Sequence, residues 1–284
     1  MPEPSALRAA GIVTLVVTAL LGTAYALGRS LVPDRPDPRA SGVVTSGTGP
    51  DYGEQPSPGT DQPDGPDITD QDRTSRSPEP TESDGPFGTR TTTGTSRVTL
   101  TFDDGPDPRY TPQVLDALRE YGVRATFCVV GENAQAHPEL IRAILAEGHT
   151  LCNHSWDHDV ALGSRSPERI RADLLRTSDA IRAAAPDAPI AYYRQPGGAW
   201  TWPVVSTARK LGMTPLHWTV DPSDWQAPGA GPIAATVVGQ VGPGSVVLLH
   251  DAGGDRQGTV DALYRILPEL TGRFQLEALP AEPT

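Results

Sequence analysis

Residues 97–284 predict an α/β fold in which parallel strands close, or nearly close, into a (β/α) barrel. Three observations carry that expectation. Short apolar runs alternate with helical segments, as βαβ units require. The runs are continuously apolar rather than alternating, which fits strands covered on both faces. Six or seven such units succeed one another, enough to curl a sheet round on itself.

The elements come in this order. Val98–Phe102 reads as the first strand, and Thr111 with Pro112 starts a helix running to about Tyr121. Ala125–Val130 is the second strand; Pro138 opens a helix that ends near Gly148. Thr150–Asn153 is the third strand, and Ser166-Pro167-Glu168 begins a helix reaching about Ala184. Further strands fit Ala191–Arg194, Thr214–Val220 and Ser245–His250, with helices near Pro203–Leu211, Ile233–Val241 and Val260–Leu270.

The first third of the chain has a different composition. Ala9 to Leu27 is almost free of polar groups, with Arg8 before it and Arg29 after. This length suits a membrane-spanning helix, while Ala24-Tyr25-Ala26 has the small-x-small pattern of a signal-peptide cleavage site. Residues 1–29 are therefore a signal peptide or a membrane anchor, and either exports the rest of the chain. Residues 30–96 hold eleven prolines, scattered acids and few large apolar side chains. Such a segment cannot bury enough surface to offset its ordering entropy, so a disordered spacer is expected. Together they place residues 97–284 outside the cytoplasm, anchored or secreted, within reach of a cell wall.

The net charge of −12, with no basic stripe, argues against a nucleic-acid partner. The two cysteines, Cys128 and Cys152, both lie in predicted strands. They fit either two buried thiols or a disulfide between neighbouring strands in an oxidising compartment.

The unusual polar residues collect at carboxyl ends of strands, the face where barrel enzymes build their sites. Asp103 and Asp104 come after the first strand, and His154 and His158 after the third. Arg194 ends the fourth, Asp221 and Asp224 come after the fifth, and His250 ends the sixth. On a helical turn the i, i+4 spacing of His154 and His158 lets both imidazoles share one metal, with a carboxylate completing the set. Of the Asp103-Asp104 pair, one can bind metal while the other holds an attacking water as general base. His250 suits a general acid, with Asp221 or Asp224 holding it. Ser155 stands where a zincin helix has its glutamate, which disfavours protease chemistry. The set points to metal-assisted hydrolysis of an amide or ester.

These residues resemble the NodB-homology polysaccharide deacetylases, carbohydrate esterase family four. The resemblance rests on five ordered motifs. They are Thr101–Gly105 (TFDDG), His154–His158 (HSWDH), Arg194–Gly198 (RQPGG), Asp221–Trp225 (DPSDW) and Leu248–His250 (LLH). It implies a distorted (β/α) barrel and a hydrolase of linear amides that removes acetyl groups from a glycan such as peptidoglycan, chitin or acetylated xylan. It implies Asp103 as base and Asp104, His154 and His158 as ligands of zinc, or of another divalent ion such as cobalt. It implies Arg194 orienting the base, Asp224 supporting His250 as acid, Trp225 lining the groove, and Pro196 and Gly197 beside the oxyanion. Many members carry an aromatic where Gly197 stands, so this groove is expected to be more open or to borrow Trp200 or Trp202. A polysaccharide is the expected partner of a monomer, and peptidoglycan N-acetylglucosamine the first substrate. The alternatives are a silent glycan-binding domain, which would lack a ligand or the base, and a small-molecule amidohydrolase.

Overall fold

The computed structural model describes residues 85–281. The apolar leader and most of the proline-rich spacer lie outside the described residues. Among the described residues, no helix is long and apolar enough to cross a membrane.

The order is β1 (Thr99–Asp103), α1 (Thr111–Glu120), β2 (Thr126–Val129), α2 (Gly131–Ala136), α3 (Pro138–Ala146), β3 (Thr150–Asn153) and α4 (Pro167–Ala184). Then come β4 (Tyr192–Tyr193), α5 (Trp202–Lys210), β5 (Thr214–Pro215), α6 (Ala230–Gln240), β6 (Val246–His250) and α7 (Gln257–Thr271). The strands form one parallel sheet in the order β5-β4-β3-β2-β1-β6.

The expected fifth strand, Thr214–Val220, is divided between two partners. Its start pairs with β4, and Val220 bridges to Val247 of β6. One segment thus touches both edges of the sheet, which distorts the barrel and brings β6 round towards β5. The spacer also ends earlier than the sequence suggests. Arg90 N–H donates to the Pro215 carbonyl, His217 N–H to that of Arg90, and Thr93 N–H to that of Gly244. This threonine-rich segment joins through main-chain hydrogen bonds, so no apolar periodicity announces it. Helix α2 is absent from the sequence reading for a similar reason: its six residues bury only Gly131 and Ala134.

Period-two alternation gives the sheet two different faces. Phe102, Phe127, Leu151 and Leu249 pack against the helices in the main core. Cys128, Cys152, Tyr192, Leu216 and Val246 point into the barrel. The carboxy-terminal tail closes the far end: Leu279, 2% exposed, joins this inner cluster. Its N–H donates to Thr126 Oγ1, and Thr150 Oγ1 donates to its carbonyl. Cys128 and Cys152 are directly opposed in register on β2 and β3 and form a disulfide.

Candidate active site

The strand alternation that sends Cys152, Tyr192 and Val246 inward does the same for His154, Arg194 and His250. These and Asp103 meet at the carboxyl end of the sheet. Asp103, His154 and His250 border a pocket of about 460 Å³ lined also by Asp104, His158, Gly197, Trp218, Asp221, Trp225 and Arg256, among others.

Asp103 is 3% exposed, and its Oδ1 accepts a hydrogen bond from Arg194 Nη1 at 2.7 Å. Arg194 is fully buried. The same Nη1 also donates to Thr101 Oγ1, while Nε and Nη2 donate to the carbonyls of Leu216 and His217. The guanidinium is therefore fixed on several sides and fixes Asp103 in turn. The other carboxylate oxygen, Oδ2, lies 3.7 Å from His154 Nε2.

Asp104, His154 and His158 bring their donor atoms within 4.8 Å of one another. Asp104 Oδ1 is 3.4 Å from His154 Nε2 and 3.2 Å from His158 Nε2. Atoms each about 2.0–2.1 Å from a common tetrahedral ion would be roughly 3.3 Å apart, so the spacing fits a metal. Asp104 Oδ1 is also buried without a hydrogen-bond partner, an expensive state that a cation would relieve. His154 Nδ1 donates to the Arg194 carbonyl at 2.9 Å, which fixes the tautomer that leaves Nε2 free.

The histidine pair is not on a helical turn, as the spacing suggests. Residues 154–158 form an irregular loop in which Ser155 (φ 67°) and His158 (φ 59°) are left-handed, as is Asp104 (φ 76°). Such conformations cost roughly 1 kcal/mol or more each and persist where neighbours over-determine them. Here the neighbours are the start of α2 and one side of α4. Gly131 and Glu132 N–H groups donate to the carbonyls of Ser155 and Trp156. Asp173 accepts from Trp156 N–H, Glu132 from its indole N–H, and the Arg176 guanidinium lies 3.5 Å from the ring centroid. A Cβ at Gly131 would sit 2.6 Å from that indole, so only glycine lets α2 approach.

His250 Nδ1 donates to Asp224 Oδ1 at 2.6 Å, and its main-chain N–H donates to Oδ2. Of the two aspartates in the fourth motif, Asp224 holds the histidine. Asp221 Oδ1 instead accepts from Ser223 N–H and lines the pocket. Burial alone would depress His250, but the hydrogen bond and charge of Asp224, helped by Asp103 and Asp104, push it up to about 9. Burial would likewise raise Asp104; the adjacent His154, then the charges of His250 and His158, bring it down to about 2.

The aromatic wall is neither Trp200 nor Trp202. Trp200 is buried, its indole N–H donating to His217, and Trp202 is exposed away from the pocket lining. Trp218 and Trp225 line it instead. Trp218 packs so closely on Gly198 that a Cβ there would lie 2.8 Å from the ring. The five motifs do not mark Trp218, although its position two residues after the inward-facing Leu216 could have. They also pass over Arg256 and Thr259, which lie at the start of α7, beyond the last motif. Asp251 is fully buried and accepts from Thr111 Oγ1. Burial pushes its carboxyl up to about 7.

Comparison with known proteins agrees with this geometry. A polysaccharide deacetylase family model matches residues 90–216. A chitooligosaccharide deacetylase of Sinorhizobium fredii is 43% identical over 204 residues, covering 67% of this chain and 94% of the relative. A peptidoglycan-N-acetylglucosamine deacetylase of Bacillus cereus is 42% identical over 175 residues, covering 61% and 81%. Among solved structures, a peptidoglycan N-acetylglucosamine deacetylase in complex with an N-hydroxybenzamide superposes with a TM-score of 0.63 at 36% identity, covering 66% of this chain and 87% of that one. Motif order, site geometry and these likenesses agree, and the chain belongs to the polysaccharide deacetylase family.

Proposed function

We propose that this protein hydrolyses the N-acetyl groups of N-acetylglucosamine units in peptidoglycan, outside the cytoplasm, using a zinc ion. The observation that carries the reading is one pocket holding three separately supported parts. These are a carboxylate fixed by a buried arginine, an Asp-His-His ligand set, and a histidine fixed by a second carboxylate.

Asp104, His154 and His158 would hold the metal. A bound divalent ion supplies Lewis acidity towards the acetyl carbonyl and its attacking water. Asp103 takes the proton of that water through the oxygen Arg194 leaves free. His250, protonated on both nitrogens, gives its Nε2 proton to the departing sugar amine, and Asp224 stabilises the imidazolium on the other side. Trp218 and Trp225 offer apolar faces to a sugar, and Gly197 adds no side chain to narrow the pocket they line. Pro196 N-terminal to it starts the turn that presents Gly197 to the pocket.

A soluble metabolite would need neither an apolar leader nor a proline-rich spacer, which favours an envelope polymer. The relatives named for chitin oligomers make those the second candidate.

The test is acetate release by the full-length protein from peptidoglycan, a chitin oligomer and acetylated xylan, before and after chelation and after adding back zinc or cobalt. Loss on chelation and recovery with zinc, with peptidoglycan turned over fastest, is expected. Release that survives exhaustive chelation sinks the metal assignment, and faster turnover of chitin oligomers or xylan moves the substrate.

The pH dependence is set by His250. An acid must be protonated to act, and a value near 9 keeps it so through neutrality. Rate against pH should therefore stay high to about pH 8 and fall as pH rises through about 9. An alkaline limb below about pH 7 would show that Asp224 does not tune this histidine.

A further inference from the structure

We propose that Arg256 and Thr259 form a positioning clamp for the general acid, acting on His250 through Asp224. The proposal rests on the role given to His250 above. Arg256 immediately precedes α7 and Thr259 lies in its first turn, three positions on. Thr259 Oγ1 donates to Asp224 Oδ2 at 2.8 Å, and Arg256 Nη1 donates to the Asp224 main-chain carbonyl at 3.1 Å. Asp224 is gripped at its carboxylate by one residue and at its backbone by the other. Its remaining carboxylate oxygen carries the bond to His250 Nδ1.

The turn being gripped needs support. Asp224–Gln226 is bracketed by Ser223 (φ 53°) and Ala227 (φ 52°), two left-handed residues that are not glycine. Left alone, such a turn would relax and let Asp224 drift from His250 Nδ1. Arg256 ties it to the segment after His250 as well, since Nε and Nη2 donate to the carbonyls of Ala252 and Gly253. The arginine is 3% exposed, and its hydrogen bonds all go to main-chain carbonyls, that of Asp255 included. Burying a guanidinium against carbonyls alone is a poor way to stabilise a fold, so its value lies in what it holds still.

Thr259→Val removes the hydroxyl and keeps the shape. It should lower kcat on the glycan by about tenfold or more with KM within about twofold, because the misplaced group acts only on the leaving amine. On 4-nitrophenyl acetate, whose phenolate departs without a proton, the same variant should match wild type. Thr259→Ser should restore glycan turnover, and Arg256→Lys, which loses the fork, should repeat the Thr259→Val pattern. A second readout is the downfield Nδ1 proton resonance of His250, expected in wild type and Thr259→Ser and broadened away in Thr259→Val. Equal loss on both substrates, or a serine variant as impaired as valine, means a merely structural role and overturns the clamp. If wild type cleaves the aryl acetate but no glycan, the substrate reading fails instead, and the resonance alone decides the clamp. Should Thr259→Val not fold, Arg256→Lys read by the same substrate pair decides it.

Discussion

Asp103→Asn is expected to lower kcat by about 10³-fold while zinc affinity stays within a few-fold of wild type. The asparagine keeps the shape and can still accept from Arg194 through its carbonyl oxygen. Its amide nitrogen then occupies the position of Oδ2, the atom facing the ligand set at 3.7 Å from His154 Nε2. An amide cannot take a proton there. The neighbouring Asp104→Asn should behave differently. Its Oδ1 is the atom shared between the two histidines, so zinc affinity and activity should fall together. Calorimetric zinc titration beside acetate release separates the two carboxylates. The thermal midpoint of Asp103→Asn should also drop, because Arg194 is left buried without a charged partner. Rates are therefore compared well below that midpoint. Turnover within about tenfold of wild type would move the base elsewhere, with His250 the next candidate.

Much of this site is legible in the sequence because its residues obey two simple periodicities. A strand period of two puts Asp103, His154, Arg194 and His250 on the inward face. Their place at strand ends then puts them together. Features set by loops cannot be read in this way. The i, i+4 histidines suggest a helical turn, yet they converge through a loop with left-handed Ser155 and His158, held by main-chain donors from α2. A six-residue helix with two buried residues leaves no periodic trace, so neither α2 nor its grip on Trp156 is visible beforehand. The choice between Asp221 and Asp224 likewise depends on a turn flanked by positive φ angles. The long fifth strand fails for a topological reason: Thr214–Val220 changes partner midway, and local pattern does not encode which edge a strand will meet.

The energetics of the two halves of the site differ accordingly. On the base side, a fully buried guanidinium is matched by a carboxylate 2.7 Å away; Asp103 ends β1, paired on both sides, and Arg194 directly follows β4, its N–H held by the Asn153 carbonyl. On the acid side, His250 sits on β6, but its partner Asp224 sits on a strained turn. Sequence drift in the α7 start should therefore affect protonation of the leaving group before it affects water activation.

Removing the Cys128–Cys152 bond, by Cys128→Ala with Cys152→Ala, should cost about 3 kcal/mol of stability. The bond closes a loop with a sequence separation of 24, containing α2 and α3. In the chain-entropy view, opening it enlarges the unfolded ensemble by roughly that free energy. For a domain of this size the thermal midpoint should fall by about 10 °C, and reduction of the wild type should give a similar shift. Catalysis below the midpoint should survive. Asp103, paired in register with Cys128, is fixed by Arg194, and His154, two residues past Cys152, is fixed by the Arg194 carbonyl. The bond is fully buried in the inner cluster beneath the site, so it ties β2 to β3 without touching the reacting groups. Such a bond persists in an oxidising compartment, which supports the extracytoplasmic reading independently of the leader. Calorimetry of the double-alanine protein, with thiol alkylation of the wild type, tests both points. Unchanged melting would remove the bond from the stability of the domain, and two alkylatable thiols in protein recovered from outside the cell would remove it from the argument about compartment.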